Sequence, residues 1–385
     1  MKTYQIITNM SCNLRCTYCY ENLSSKKNDV ENIKTYLLSA MEQDKGLEDD
    51  LMIDFIGGEP FFVPDLIDEV MSFVKERYLD YGFKKLYFNY SSNGTLLFRP
   101  KQLALIKKFK ENMYIGVSLD GDKEKHDKHR LTIDGKGSFD DALKGYNIAY
   151  DILGKCRMNL KATFTKDSIN DYARSVKYLL SLERSPRELQ ANFNFEENFD
   201  QYDGILIANE LLEVLKYYMS LPKHLRCELT QIVKDDVFFS TVDNCNLTKP
   251  KPLSQNRCGT CNQMSSLGFD GKVYGCNRFL SMERPNMDIG SVKGGKLEFH
   301  EVSIRNDILH AYKQLPDSCQ NCRFNNSCAD CVAVALDEGI SYKDYYSQRR
   351  MCGYTKAKEI AKIYGRRLSY YEKKNVANNI SYKEV

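Results

Sequence analysis

Apolar and polar positions alternate along the first two hundred residues with two different periods. Short runs rich in β-branched and aromatic residues predict strands at 3–9, 51–56, 85–90, 114–119, 159–165 and 189–195. Amphipathic stretches between them predict helices near 30–45, 64–80, 100–110, 138–153 and 170–183, and a further helix follows the sixth strand at about 204–220. In the third helix Leu103, Ile106 and Phe109 recur three apart as an apolar stripe. Pro64 and Pro100 stand where a first helical turn tolerates proline. Six strand–helix units in series predict an α/β fold with a parallel sheet covered by helices, able to curl into a partial TIM-like barrel of six units.

Near 222–257 the periodicity stops. Pro222, Pro250 and Pro252 and the polar run DNCNLTKPKPLSQN predict a connector. From Cys258 to Cys352 the chain is cysteine-rich and weakly periodic, the pattern of a segment folded around metal more than around a large apolar core. A helix is expected after Cys352, and the last ten residues are expected to fray. The expected divisions are 1–221, a connector at 222–252, a cysteine-rich unit at 253–355, and a helix and tail at 356–385.

Composition narrows the class. A net charge of +3 over 385 residues gives no reason to expect bulk nucleic-acid binding. No apolar run reaches the roughly 18–20 residues that span a bilayer, and MKTYQIITNMSC lacks a signal-peptide pattern. A cytoplasmic protein is therefore expected. Fourteen cysteines are many for a reducing compartment, and their CxxC pairs point to metal rather than disulfides.

The first cluster is SCNLRCTYCYENL, with Cys12, Cys16 and Cys19 in eight positions after the first strand. Three thiolates do not close a tetrahedral zinc site. A distant fourth ligand would be needed, and none of the five histidines is near in sequence. An iron–sulfur cube is the other option: three thiolates leave one iron open for a substrate or cofactor. The loop also sits at the carboxyl end of a strand, where α/β barrels place their chemistry.

Cys12-x3-Cys16-x2-Cys19 resembles the signature of radical S-adenosylmethionine (SAM) enzymes. The resemblance implies that the open iron chelates SAM, that one electron cleaves it to a 5′-deoxyadenosyl radical, and that this radical takes hydrogen from a substrate. Further motifs at successive strand ends match in order. Ile56-Gly57-Gly58-Glu59-Pro60 resembles the family's GGEP turn, implying that its backbone and Glu59 hold the SAM amino group. Asn93 lies in SSNGT after the third strand. Ser118 and Asp120 in GVSLDG are implied near the SAM ribose and carboxylate, Arg130 as the partner of that carboxylate, and Tyr18 as the aromatic bordering adenine. His126 and His129, beside Arg130, are expected on the surface.

Eight cysteines remain in the C-terminal part, the number that two fully ligated four-iron clusters need. Their spacing, with CQNCRFNNSCADC, is similar to the SPASM domain appended to radical SAM enzymes that modify peptides. That resemblance implies one auxiliary [4Fe-4S] cluster on Cys258, Cys261, Cys276 and Cys331, another on Cys319, Cys322, Cys328 and Cys352, and three clusters in all. Two residues separate Cys328 from Cys331 where the family usually has three, a deletion that could free Cys331 and open a cluster to a substrate thiolate. Two zinc knuckles are the alternative for the CxxC pairs. Cys156 is expected buried or half-buried, and Cys245 inert.

The chain looks nearest to maturases of ribosomally made peptides and to anaerobic sulfatase-maturating enzymes. The latter carry a catalytic aspartate directly after the cysteine matching Cys276, and here that residue is Asn277. An amide cannot take up a proton from a hydroxyl or thiol, unless Asp270 or Asp288 supplies a base. The expected function is therefore a peptide maturase forming a crosslink such as a thioether. Formylglycine formation, maturation of a peptide-derived redox cofactor, and a non-catalytic electron carrier are the alternatives. Expected partners are a peptide or protein substrate and a flavodoxin or ferredoxin as electron donor. Because the first strand begins near Met1, no leader-recognition domain is expected ahead of it. A separate leader-recognition protein or direct binding of the peptide would take its place.

Overall fold

The computed structural model describes residues 1–47, 49–229, 258–282, 284–300, 304–325, 328 and 331–381, with side chains described up to residue 370. Most of the expected connector, with Cys245, lies outside the described residues.

The strands in chain order are β1 (Lys2–Asn9), β2 (Leu14–Cys16), β3 (Leu51–Gly57), β4 (Leu86–Ser92), β5 (Met113–Ser118), β6 (Arg130–Thr132), β7 (Met158–Phe164), β8 (Glu188–Phe193), β9 (Glu228–Leu229), β10 (Met264–Leu267), β11 (Lys272–Tyr274), β12 (Gly290–Lys293) and β13 (Lys296–Phe299). The helices between the first strands are α1 (Val30–Gln43), α2 (Pro64–Lys75), α3 (Pro100–Lys108), α4 (Lys123–His129), α5 (Phe139–Leu153), α6 (Tyr172–Leu180) and α7 (Gln201–Ser220).

All six expected strands are present as β1, β3, β4, β5, β7 and β8, and they are parallel neighbours in that order. The sheet is open. Eleven strands run β13-β12-β11-β10-β1-β3-β4-β5-β7-β8-β9 without closing on themselves. β10 adds to the free side of β1 in parallel, and β11 to β13 continue antiparallel. The cysteine-rich segment thus extends the main sheet. Its Leu267, Val273, Phe279 and Ile289 belong to the same continuous apolar core as the first strands, so it is not held by metal in place of a core.

Local chemistry explains the helices. Asp29 caps α1 by accepting from the Glu31 and Asn32 N–H groups, each at 3.0 Å, and Ile33, Tyr36, Leu37, Ala40 and Met41 form its buried face. α2 opens on Pro64 and stops at Lys75, short of the expected residue 80; a separate 3-10 turn, Tyr78–Tyr81, follows and ends at left-handed Gly82. In α3 the buried stripe is Gln102, Leu105 and Ile106, continued by Phe109, while Leu103 is only half-buried. α4, of sequence KEKHDKH, carries no apolar periodicity and was not expected. The last helix, Cys352–Ser381, runs on into the residues expected to fray. Its Tyr354 packs edge-on to Phe193 of β8 at 5.2 Å.

The two faces of the sheet differ. Leu86, Phe88 and Tyr90 of β4 and Leu189, Ala191 and Phe193 of β8 are buried under helices, whereas Tyr87, Asn89, Ser91, Glu188, Gln190 and Asn192 between them are half-buried. The second face therefore lines a polar hollow.

Candidate active site

The Cys12–Cys19 loop leaves the carboxyl end of β1 and is fixed by the two-stranded pair of β2 and β6, which sets Cys16 directly opposite Arg130. Arg130 Nη1 lies 4.0 Å from the Cys16 sulfur. Asn93 Nδ2 lies 3.7 Å from the Cys12 sulfur, and the Leu14 N–H points at the same sulfur from 3.4 Å. Burial pushes the Cys12 thiol up to about 11 and raises Cys16 and Cys19 as well. As thiolates all three would need a bound cation to hold them ionised.

Asp120 is fully buried and accepts from Arg130 Nε at 3.0 Å, from the Thr163 N–H at 3.0 Å and from the Tyr18 hydroxyl. Burial alone would raise its carboxyl. Arg130 first, then Tyr18 and Thr163, outweigh that and hold it below the usual carboxylate range. The guanidinium of Arg130 also sits over the Tyr18 ring at 5.4 Å. Tyr18, Asp120, Arg130 and Cys16 thus form one group, and Ser118 ends β5 half-buried nearby in sequence.

The GGEP turn packs against the base of the cysteine loop. Gly57 has φ +129°, and a Cβ there would stand 2.2 Å from the Asn9 carbonyl oxygen; one on Gly58 would stand 2.3 Å from the Ser11 oxygen. Pro60 starts a buried 3-10 turn that Glu59 caps through the Phe61 N–H. The Glu59 carboxylate is 1% exposed and also accepts from Ser92 Oγ at 2.8 Å and the Asn93 N–H at 2.7 Å. Glu59 therefore braces Asn93, which in turn faces Cys12.

The histidines are not on the surface. His126 is 0% exposed and bonds Ser138 at 3.0 Å; His129 is 7% exposed and bonds Thr17 at 2.8 Å. Both brace the walls around Arg130, a role that a polar stretch of sequence does not reveal. Cys156 is exposed rather than buried, because it falls in the short turn Lys155–Arg157 after α5.

In the C-terminal part Cys331 and Cys258 are neighbours of Cys276, and Cys261 is a neighbour of Cys258. Burial, then Cys331 and Cys258 close by, raise the Cys276 thiol; Cys261 is pushed up to about 11 by burial, with Cys258 again beside it. Glycine at 275 leaves room for the Cys261 sulfur, which would lie 2.6 Å from a Cβ there. Cys319, Cys322, Cys328 and Cys352 line a second, apolar cavity with Phe324 and Tyr346. Among the described residues no three His, Cys, Asp or Glu side chains converge as a single ion requires.

Asn277 is tied to the polar face of the sheet through Gln5. Its N–H donates to Gln5 Oε1 and its Nδ2 to the Tyr20 hydroxyl, each at 3.1 Å. Arg278 lies over the Tyr20 ring at 4.3 Å and pairs with Glu196 and Asp337. Asp270 instead accepts from the Tyr274 hydroxyl at 2.8 Å, and Asp288 pairs with Lys272 and His300. Gln5, Tyr20 and Arg278 were missed in the sequence. A polar residue inside a parallel strand, such as Gln5, was the available signal.

Three thiols on one loop, a cation and an amide aimed at two of their sulfurs, and glycine backbone beside them suit an iron–sulfur cube with SAM next to it. Comparison with known proteins agrees. The Radical SAM superfamily matches residues 6–176. The cysteine-type anaerobic sulfatase-maturating enzyme of Clostridium novyi (strain NT) is 25% identical over 356 residues, covering 83% of this chain and 84% of that protein. The structure of native anSMEcpe with bound AdoMet and Cp18Cys peptide superposes with a TM-score of 0.69 at 20% identity, covering 98% of this chain and 99% of that one. Streptococcus suis SuiB bound to its precursor peptide SuiA gives 0.56 at 14% identity over 89% and 74%. No helix among the described residues is long and apolar enough to cross a membrane. The chain carries a radical SAM domain over residues 6–176 and is an iron–sulfur enzyme.

Proposed function

We propose that this enzyme is a peptide maturase that forms a crosslink, such as a thioether, within a peptide substrate. Cys12, Cys16 and Cys19 hold one [4Fe-4S] cluster. The Gly57–Gly58 backbone with Glu59, together with Asn93, Ser118, Asp120 and Arg130, surround SAM, and Tyr18 borders its adenine. When bound, cluster and SAM together supply the 5′-deoxyadenosyl radical that removes a substrate hydrogen atom. The quartets Cys258, Cys261, Cys276, Cys331 and Cys319, Cys322, Cys328, Cys352 hold two auxiliary clusters. Joining a carbon radical to a thiol releases one proton and one electron, and the quartets give the electron a path away from the substrate.

Asn277 carries the choice of product. It bonds Gln5 and Tyr20 beside the polar face of the sheet and cannot accept a proton from a substrate hydroxyl or thiol. Asp270 and Asp288 are engaged with partners in the C-terminal strands. The second reading, oxidation of Ser or Cys to formylglycine, is favoured by the likeness to the Clostridium novyi enzyme along most of both chains.

Coexpression with peptides encoded beside the gene separates the two. A product lighter by two hydrogens whose linked span resists fragmentation supports the crosslink. A product that reacts with a hydrazide is an aldehyde and overturns it.

A further inference from the structure

Strands of a parallel sheet are ordinarily buried on both faces and read as continuous apolar runs. Here one face alternates: Asp54, Asn89, Ser91, Lys161, Thr163 and Gln190 are half-buried on it while their neighbours are buried. A sheet face kept polar beneath a reaction centre is a surface for a ligand.

Lys161 has an unusual position on that face. Its side chain crosses from β7 over β5 to donate to Ser91 Oγ on β4. Glycine at 116 makes the crossing possible, since a Cβ there would stand 2.8 Å from Lys161 Cε. Two residues further along β7 the Thr163 N–H binds Asp120. Lys161 therefore lies about 7 Å, one two-residue step, below the group of Asp120, Arg130 and Tyr18.

Two carboxylates are near enough to act on the ammonium, and neither is committed to it. Asp54 accepts from Gln5 at 3.0 Å and from Asn89 at 2.7 Å; Glu188 accepts from Arg187 at 3.1 Å and Gln190 at 3.2 Å. Among the described residues Ser91 takes one of the three ammonium hydrogens. Burial lowers the Lys161 pKa against the pull of Asp54 and Glu188, which marks a desolvated cation. A desolvated cation with donors to spare binds an incoming carboxylate through a charge-assisted hydrogen bond.

We propose that Lys161, with Ser91, anchors a carboxylate of the substrate inside the hollow, either an acidic side chain or a free C-terminus. The peptide identity of that substrate rests on the function proposed above.

The test is calorimetric titration of the anaerobically reconstituted enzyme with SAM present, using four probes. These are a blocked alanine–glutamate–alanine tripeptide, its glutamine twin, the glutamine twin with a free C-terminus, and glutarate. An acid form should bind about tenfold or more tightly than the blocked amide, the range of a charge-assisted bond. Which acid binds names the source. Lys161→Gln should erase the difference and Lys161→Arg should keep most of it, with cluster absorbance as the check on folding. Equal affinity for acid and amide, a preference that survives Lys161→Gln, or no binding by any probe overturns the anchor. Glutarate bound through Lys161 while every tripeptide fails upholds the anchor and overturns the peptide reading.

Discussion

Gly204 of α7 and Gly353 of the last helix lie backbone to backbone: a Cβ on Gly204 would meet the Gly353 Cα at 2.7 Å, and one on Gly353 would meet the Asp200 carbonyl oxygen at 1.9 Å. The chain is sealed there by bonds from the Phe199 N–H to the Arg350 oxygen and from the Gly353 N–H to the Phe199 oxygen. Cys352 lies inside that seam. Gly353→Ala drives a methyl into backbone, which no rotamer relieves, and should cost about 1–3 kcal/mol in chemical denaturation. The same change should displace Cys352 and lower the iron bound per chain, while the SAM-binding cluster keeps its electron paramagnetic resonance signal.

Glu59 should give the stability of the cluster-free chain a pH dependence. Burial raises its carboxyl to about 7, against the hydrogen bonds from Asn93, Ser92 and Phe61. A carboxyl raised on folding stabilises fully below its unfolded value near 4.5, and that stability is lost as pH rises through 7. The loss is roughly 3 kcal/mol between pH 4.5 and 8. Denaturation across that range should show it, and Glu59→Gln should flatten the curve.

Much of the fold is legible because β-branched runs and amphipathic stretches alternate strongly in the first two hundred residues. The strand ends that carry Asn93, Ser118 and Asp120 follow from that alternation alone. What was missed depends on tertiary pairing. The β2–β6 ladder joins three-residue segments more than a hundred residues apart, so no local period announces it. α4 is polar throughout because it folds around buried His126 and His129, each bonded on one ring nitrogen by a side chain from another segment. The quartets of C-terminal cysteines were implied by the resemblance to the SPASM domain, but the parallel pairing of Met264–Leu267 with β1 could not be read from so short a strand. Lys161 stands inside the strand expected at 159–165, and only the crossing over Gly116 shows where its side chain goes.

The pair of Arg130 and Asp120 should be costly to break from one side. Arg130→Met leaves Asp120 buried and unpaired, a loss of about 3–5 kcal/mol. The carboxyl should then titrate above the usual range, because burial is no longer opposed by the guanidinium. Adding Asp120→Asn should recover part of the loss, and a double-mutant cycle in denaturant measures the coupling. With the pair intact, the stability it gives is present above about pH 4 and is lost only as pH falls through the depressed value.

Asn277→Asp tests whether the identity of this residue selects the product. The amide now donates to the Tyr20 hydroxyl; a carboxylate would accept from it instead, so the contact survives with its direction reversed. Arg278 beside it offsets part of the added negative charge, while Glu21, which also accepts from Asn277, opposes it, so denaturation of the variant is measured alongside its products. If crosslinking is the native reaction, the variant should still give the fragmentation-resistant product, lighter by two hydrogens, and no hydrazide-reactive aldehyde. An aldehyde from the variant alone would mean that the hollow already positions a Ser or Cys side chain for oxidation and that only the base at 277 is missing.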